Sequence, residues 1–176
     1  MIQILDKQFK LYIDATTIQN RVMAIADELN RDFVNSRPII LVVLPGAFMF
    51  AADILKHLTI PCEIDFVQLT SYEGLSSSGK IVLKSEPKTN LQNKNIIIIE
   101  DIVDSGLTMD FFIEYLKNKG IAKYTLVSLL AKPDNIEKSV YIDYLGFNIP
   151  NLFVVGYGLD YNELGRNLDA IYQISE

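Results

Sequence analysis

The chain has 176 residues, 49% of them hydrophobic and 22% charged, with a formal net charge of −6. This composition excludes a disordered chain, and the length fits one buried core, so a single domain over 1–176 is expected. An acidic balance without a basic stripe also excludes nucleic acid as a partner. No run approaches the roughly 18 apolar residues of a membrane span. The opening MIQILDKQFK lacks a basic stretch followed by an apolar one, so a cytoplasmic location without a membrane partner is expected. The lone Cys62 cannot close an internal disulfide and reads as a small buried hydrophobe.

Ile18, Val22, Ile25, Leu29 and Phe33 recur at helical spacing, opened by Thr16 or Thr17 as N-cap. The continuous apolar run 38–44, bounded by Pro38 and Pro45-Gly46, reads as a strand buried on both faces. Phe50, Ile54, Leu55 and Leu58 mark a second helical face, and 63–69 alternates loosely enough for a partly covered strand. His57, near the end of that helix, suits the helix dipole and takes no further role. From 70 to 95 the chain turns polar around a strand-like KIVLK, and so long an irregular stretch suggests a lid over a site. Strand 96–99 then leads into a helix carrying Met109, Phe112, Ile113 and Leu116, ended by Lys117, Lys119 and Gly120. Two more buried strands are predicted at 124–130 and 152–155. Strand and helix alternate throughout, which predicts an α/β fold. Its sheet is doubly wound and mostly parallel, with helices on both faces and ligands at the carboxyl ends of its strands.

Glu100 and Asp101 stand at the carboxyl end of strand 96–99. The Asp104-Ser105-Gly106 turn lets successive N–H groups and the hydroxyls of Ser105 and Thr108 converge at a helix N-terminus. Such a nest binds phosphate, and carboxylates beside it suit sugar hydroxyls, so the ligand implied is a ribose phosphate. Taken alone, the same residues also read as a solvated turn in which Asp104 or Ser105 caps the helix. The P-loop pattern is absent, and Gly156-Tyr157-Gly158 lacks the third glycine of a dinucleotide fingerprint.

The whole string IIIIEDIVDSGLTM, 96–109, resembles the motif of type I phosphoribosyltransferases that binds PRPP, 5-phosphoribosyl 1-pyrophosphate. Further segments are similar to the hypoxanthine-guanine branch of that family: LPGAF at 44–48, Ser71-Tyr72, Lys132 after a strand, and FVVGYGLDYNELGR at 153–166. The resemblance implies the type I fold with a small hood formed by the terminal segments and a mobile catalytic loop at about 70–82. It implies transfer of ribose 5-phosphate from PRPP to hypoxanthine or guanine with release of pyrophosphate, Mg2+ as cofactor, and a homodimer or homotetramer. Asp104 would be the general base. Glu100 and Asp101 would bind the ribose hydroxyls, and Asp104, Ser105, Gly106, Leu107 and Thr108 the 5-phosphate. Pyrophosphate would fall to Pro45, Gly46, Ser71, Tyr72 and Arg166, and the purine to Lys132, Phe153, Val154 and Asp160. Asp160, with Glu100 and Asp101, would serve the metal.

Without the resemblance, Phe153 reads as core, Lys132 as a solvated loop residue, and Tyr72 and Arg166 as surface. Two positions depart from the family pattern: Pro45 and Leu107 each stand where lysine is common. The resemblance also implies a cis Leu44–Pro45 peptide, which proline makes less costly than any other residue. Two rivals share the motif, a xanthine-preferring phosphoribosyltransferase and a non-catalytic PRPP-sensing regulatory module. The second needs a DNA-binding part, and the residues before 38 carry no basic stripe.

Overall fold

The computed structural model describes residues 1–71, 81–138 and 140–175. Strands β1 (Ile2–Ile4) and β2 (Lys7–Ile13) precede helix α1 (Ala15–Asp32), whose buried stripe is the predicted Ile18, Val22, Ile25 and Leu29. Its N-cap is Asp14 rather than either threonine. The Asp14 backbone is extended, and its carboxylate accepts the Thr17 N–H at 2.9 Å, leaving Thr16 and Thr17 inside the first turn. A carboxylate outranks a threonine hydroxyl in this position, where a good cap is worth about 1 kcal/mol.

There follow β3 (Ile39–Leu44), α2 (Phe48–His57), β4 (Glu63–Ser71), β5 (Ile81–Ser85), β6 (Asn95–Val103), α3 (Leu107–Asn118) and β7 (Lys123–Ala131). A 3-10 turn at Pro133–Asn135, then β8 (Tyr144–Asn148), β9 (Val154–Val155) and β10 (Ile171–Ser175), complete the order. The main sheet runs β5-β4-β3-β6-β7-β8, parallel except for β5 at one edge. Ile40, Val42, Ile97 and Ile99 pack into the core under α1 and α2, while Ile39, Leu41, Ile96 and Ile98 pack under α3. Burial on both faces explains the unbroken apolar runs, and truncating any of these isoleucines to alanine should cost about 2–5 kcal/mol.

The predicted strand 152–155 shrinks to Val154–Val155 and pairs with β10, outside the main sheet. Its expected place is taken by β8, which the sequence hid: its first four residues are only half-buried, and Gly146 breaks its apolar run where Leu129 O leaves no room for a Cβ. The terminal segments form a second, antiparallel sheet, β1-β2-β10-β9, around Phe9, Ile4 and Val155, and this is the expected hood. Among the described residues no helix is long and apolar enough to cross a membrane. From β3 the chain continues to β4 on one side, and from neighbouring β6 to β7 on the other. A crevice opens where the winding reverses, between the carboxyl ends of β3 and β6.

Candidate active site

β6 does not stop at Ile99. Pairing of Glu100 with Ser128, Ile102 with Leu130 and Val103 with Ala131 carries it through the acidic pair, which therefore lies within a strand and not in a solvated turn. Glu100 is buried and Asp101 half-buried, and Glu100 Oε2 has no hydrogen-bond partner among the described residues. Burial, then the charge of Asp101, push the Glu100 carboxyl well above its usual range. Burial raises Asp101 too, against hydrogen bonds from Glu100 and the backbone and the more distant charge of Arg166. Both shifts disfavour charge on the pair, most strongly at the more deeply buried Glu100.

Beyond the pair, Gly106 precedes α3 at φ +80, so neither Asp104 nor Ser105 is the N-cap. Ser105 Oγ instead accepts the Leu107 N–H at 3.4 Å. A Cβ on Gly106 would lie 2.3 Å from Lys138 O, and the N–H groups of Glu137 and Lys138 donate to Ser105 O at 2.9 and 3.1 Å. The backbone at 137–138 thus forms a wall beside the turn. Glu100, Asp104, Ser105, Gly106 and Thr108 line the resulting cavity of about 250 Å³ at the positive end of α3.

A second cavity of about 230 Å³ shares Glu100 and Thr108 and adds Pro45, Gly46, Asp101, Asp160 and Arg166. The Leu44–Pro45 peptide is cis, as the resemblance implied. Gly46 lies so close to the acidic pair that a Cβ there would sit 1.7 Å from Asp101 Oδ2. Arg166 Nη2 pairs with Asp160 Oδ1 at 2.7 Å and Nη1 donates to Gly158 O at 2.9 Å, while Asp160 Oδ2 accepts the Glu163 N–H. Arg166 is therefore a fixed cation in the crevice, not a loose surface residue. The partnerless Glu100 oxygen and the carboxylates of Asp101 and Asp160 are hard oxygen donors suited to Mg2+. Among the described residues no three such side chains converge as a self-sufficient metal cage. The donor set fits an ion that takes most of its ligands from substrate and water.

At the other end of the turn, Lys132 is 8% exposed, against the solvated reading. Its Nζ lies 2.7 Å from Asp104 Oδ2, and Asn135 Nδ2 donates to Asp104 Oδ1 at 2.7 Å. Burial pushes the Asp104 carboxyl up, but the hydrogen bonds from Lys132 and Asn135, with the lysine charge, outweigh it and hold the group below its usual value. Asn135 also donates to Asn151 Oδ1 at 3.1 Å, two residues before Phe153. Phe153 is 46% exposed, so the core reading fails. Its ring stands edge-on to Tyr161 at 5.8 Å and 6.3 Å from Phe9, with one side open. Val154 is buried in β9.

The structure thus gathers Pro45, Gly46, Glu100, Asp101, Asp104, Ser105, Gly106, Thr108, Asp160 and Arg166 around two adjoining cavities, with Lys132 on Asp104. Leu107 opens α3 with its side chain exposed. Ser71 ends β4. Tyr72 and most of the catalytic loop expected at about 70–82 fall on 72–80, outside the described residues. Asn135 was missed, although Lys-Pro-Asp-Asn is a turn signal that could have placed it beside Lys132. Two larger cavities, about 390 and 410 Å³, flank Lys123 and Asp143 at the amino ends of the strands, away from these groups.

Residues 14–162 match the phosphoribosyl transferase domain family. A hypoxanthine-guanine phosphoribosyltransferase of Bacillus subtilis is 37% identical over 163 residues, covering 92% of this chain and 91% of that protein. One from Streptococcus pyogenes serotype M3 is 33% identical, covering 95% and 93%. A crystal structure of a Bacillus anthracis hypoxanthine-guanine phosphoribosyltransferase superposes with a TM-score of 0.89 at 32% identity, over 97% of this chain and 99% of that one.

Proposed function

The chain belongs to the phosphoribosyl transferase family, and on that premise we propose that it transfers the 5-phosphoribosyl group of PRPP to hypoxanthine or guanine in purine salvage. One observation carries this reading: the cavity at the head of α3 is lined by the Asp104–Thr108 turn, with buried Glu100 on one side and, on the other, a carboxylate already paired with a lysine. A bond forms between purine N9 and ribose C1 as the C1–oxygen bond to pyrophosphate breaks, and the purine gives up one proton. Asp104 takes that proton from N7, with Lys132 moving from Asp104 to donate to the purine O6. Glu100 and Asp101 receive the ribose hydroxyls. The N–H groups from Ser105 to Thr108 hold the 5-phosphate, with Leu107 contributing backbone only.

Gly46 and its neighbours offer N–H groups to pyrophosphate, Pro45 shapes that loop, and Arg166 supplies the cation. Ser71 and Tyr72 belong to the same pyrophosphate contact. Phe153 stacks on the base, and Val154 and Asp160 read its far edge. Mg2+ would be held by Asp160, with Glu100 and Asp101 nearby, and would neutralise charge on the leaving pyrophosphate. The same reading makes 1–176 one catalytic domain acting in the cytoplasm as a homodimer or homotetramer. Ile64 and Phe66, 45% and 50% exposed on one face of β4, support self-association. A spectrophotometric assay with PRPP, Mg2+ and hypoxanthine, guanine, xanthine or adenine tests the proposal. Nucleotide should form from the first two, and no product from either would sink it.

A further inference from the structure

The Asp104 carboxylate is held at both oxygens by different donors, Lys132 at Oδ2 and Asn135 at Oδ1, each at 2.7 Å. A carboxylate only accepts, so the Asn135 atom facing it is the amide nitrogen, and the same nitrogen donates to Asn151 Oδ1 at 3.1 Å. Both amide hydrogens are therefore used, and rotation of the group is fixed. Both donors leave from one 3-10 turn: Lys132 is its N-cap, Pro133 opens it, and the Asn135 N–H donates to Lys132 O at 3.0 Å. They differ in reach and charge. Lysine carries its ammonium on a flexible four-carbon stem and can swing away without backbone movement, whereas the short asparagine side chain cannot. Once Lys132 leaves for the purine, Asp104 sits on a half-exposed turn with Asn135 as its remaining side-chain donor among the described residues.

We propose that Asn135 is a positioning residue for Asp104, keeping the carboxylate oriented toward the purine after Lys132 has moved. This rests on the reading of Asp104 as base and Lys132 as purine contact. The division of labour has a chemical reason: a neutral amide orients a carboxylate while suppressing its basicity far less than an ammonium does. A base must sit within about 2.6–3.2 Å of the proton it takes, so loss of orientation lowers the chemical step and not substrate binding.

Steady-state kinetics on the full chain with hypoxanthine, PRPP and Mg2+ test this in Asn135→Ala, Asn135→Asp, Asp104→Ala and the Asp104→Ala/Asn135→Ala double variant. Loss of one orienting hydrogen bond should lower kcat about three- to tenfold in Asn135→Ala, with both KM values held within about twofold. Asn135→Asp keeps the shape of the side chain but sets a second carboxylate against Asp104, and kcat should fall further. In the Asp104→Ala background, removing Asn135 should cost nothing more, because its effect passes through that carboxylate. Normal kcat in Asn135→Asp would overturn the proposal, as would an Asn135→Ala deficit that persists undiminished without Asp104. Failure of the underlying reading looks different, since Asp104→Ala alone would then retain near-native kcat.

Discussion

The two ends of the site are built from different material. On the proposed reading the recognition surface at the phosphate end is backbone: N–H groups of the 105–108 turn, a Gly106 that could not carry a side chain, and the Gly46 loop pressed against Asp101. At the end proposed for the purine it is side chains, with Lys132, Asn135 and Asp104 linked by hydrogen bonds across 28 and 31 positions of sequence, and Phe153 presented from the hood. Backbone cradles are set by local turn chemistry and tolerate changes of side chain that leave the turn intact. On that reading, leucine at position 107 leaves the cradle intact. Side-chain clusters depend on where distant elements pack, so single substitutions there should change chemistry and selectivity while the fold stands.

The largest effect is expected at Asp104. Asp104→Asn should lower kcat by about two to four orders of magnitude, the usual worth of a general base, while the dissociation constant for PRPP, measured calorimetrically, barely moves. A matched loss of PRPP affinity would mean that Asp104 belongs to the phosphate end. Lys132→Gln comes next. An ammonium offers only donors, so adenine, with an amino group at position 6, leaves it unpaired at a cost of about 1–3 kcal/mol. The native enzyme should therefore prefer hypoxanthine over adenine by at least about fivefold, and the variant should lose much of that ratio because an amide presents donor or acceptor. An unchanged ratio would return Lys132 to an ordinary ion-pair role.

For the backbone end the matching change is Gly46→Ala. The added methyl would meet Asp101 Oδ2 at 1.7 Å and Asp101 Cγ at 2.4 Å, so either the loop or that carboxylate must shift. Overpacking of this kind costs about 1–3 kcal/mol. We expect a raised KM for PRPP and a lowered melting temperature together, in contrast to Lys132→Gln, where stability should be nearly kept. A variant with native KM for PRPP would show that the loop does not approach the acidic pair in solution.

The same contrast decided what could be read from the sequence. The apolar run at 96–99 and the glycine in Asp-Ser-Gly announced the strand, turn and nest, because each is a local consequence of its own residues. Only the length of β6 was misjudged, since its extension through Glu100 and Asp101 depends on pairing with β7. The cap of α1 falls on Asp14 and not on Thr16 or Thr17 because the extended backbone ends at Asp14, which residue type alone does not reveal. β8 escaped because a half-buried edge strand interrupted by Gly146 has neither a continuous apolar run nor clean alternation. Asn135 was invisible for another reason: nothing in a Pro-Asp-Asn turn says that its amide will meet a carboxylate 31 residues earlier.

Phe153 gives the smallest expected effect and separates fold from function most cleanly. From the sequence its place in FVV reads as core, and a core phenylalanine cut to alanine should cost about 3–5 kcal/mol of stability. In the structure the ring is 46% exposed, supported on one side by Tyr161 and Phe9 and open on the other. Removing it forfeits the contacts with those two rings, about 0.5–1.5 kcal/mol per aromatic pair, and little full burial. The open side is where a purine would stack, worth about 1–3 kcal/mol per base on an aromatic platform, toward the lower end for a ring that solvent reaches. Phe153→Ala should therefore raise KM for hypoxanthine about fivefold to tenfold, leave KM for PRPP unchanged, and lower the melting temperature only slightly. Large destabilisation with no selective loss of purine affinity would restore the core reading and remove Phe153 from the purine end.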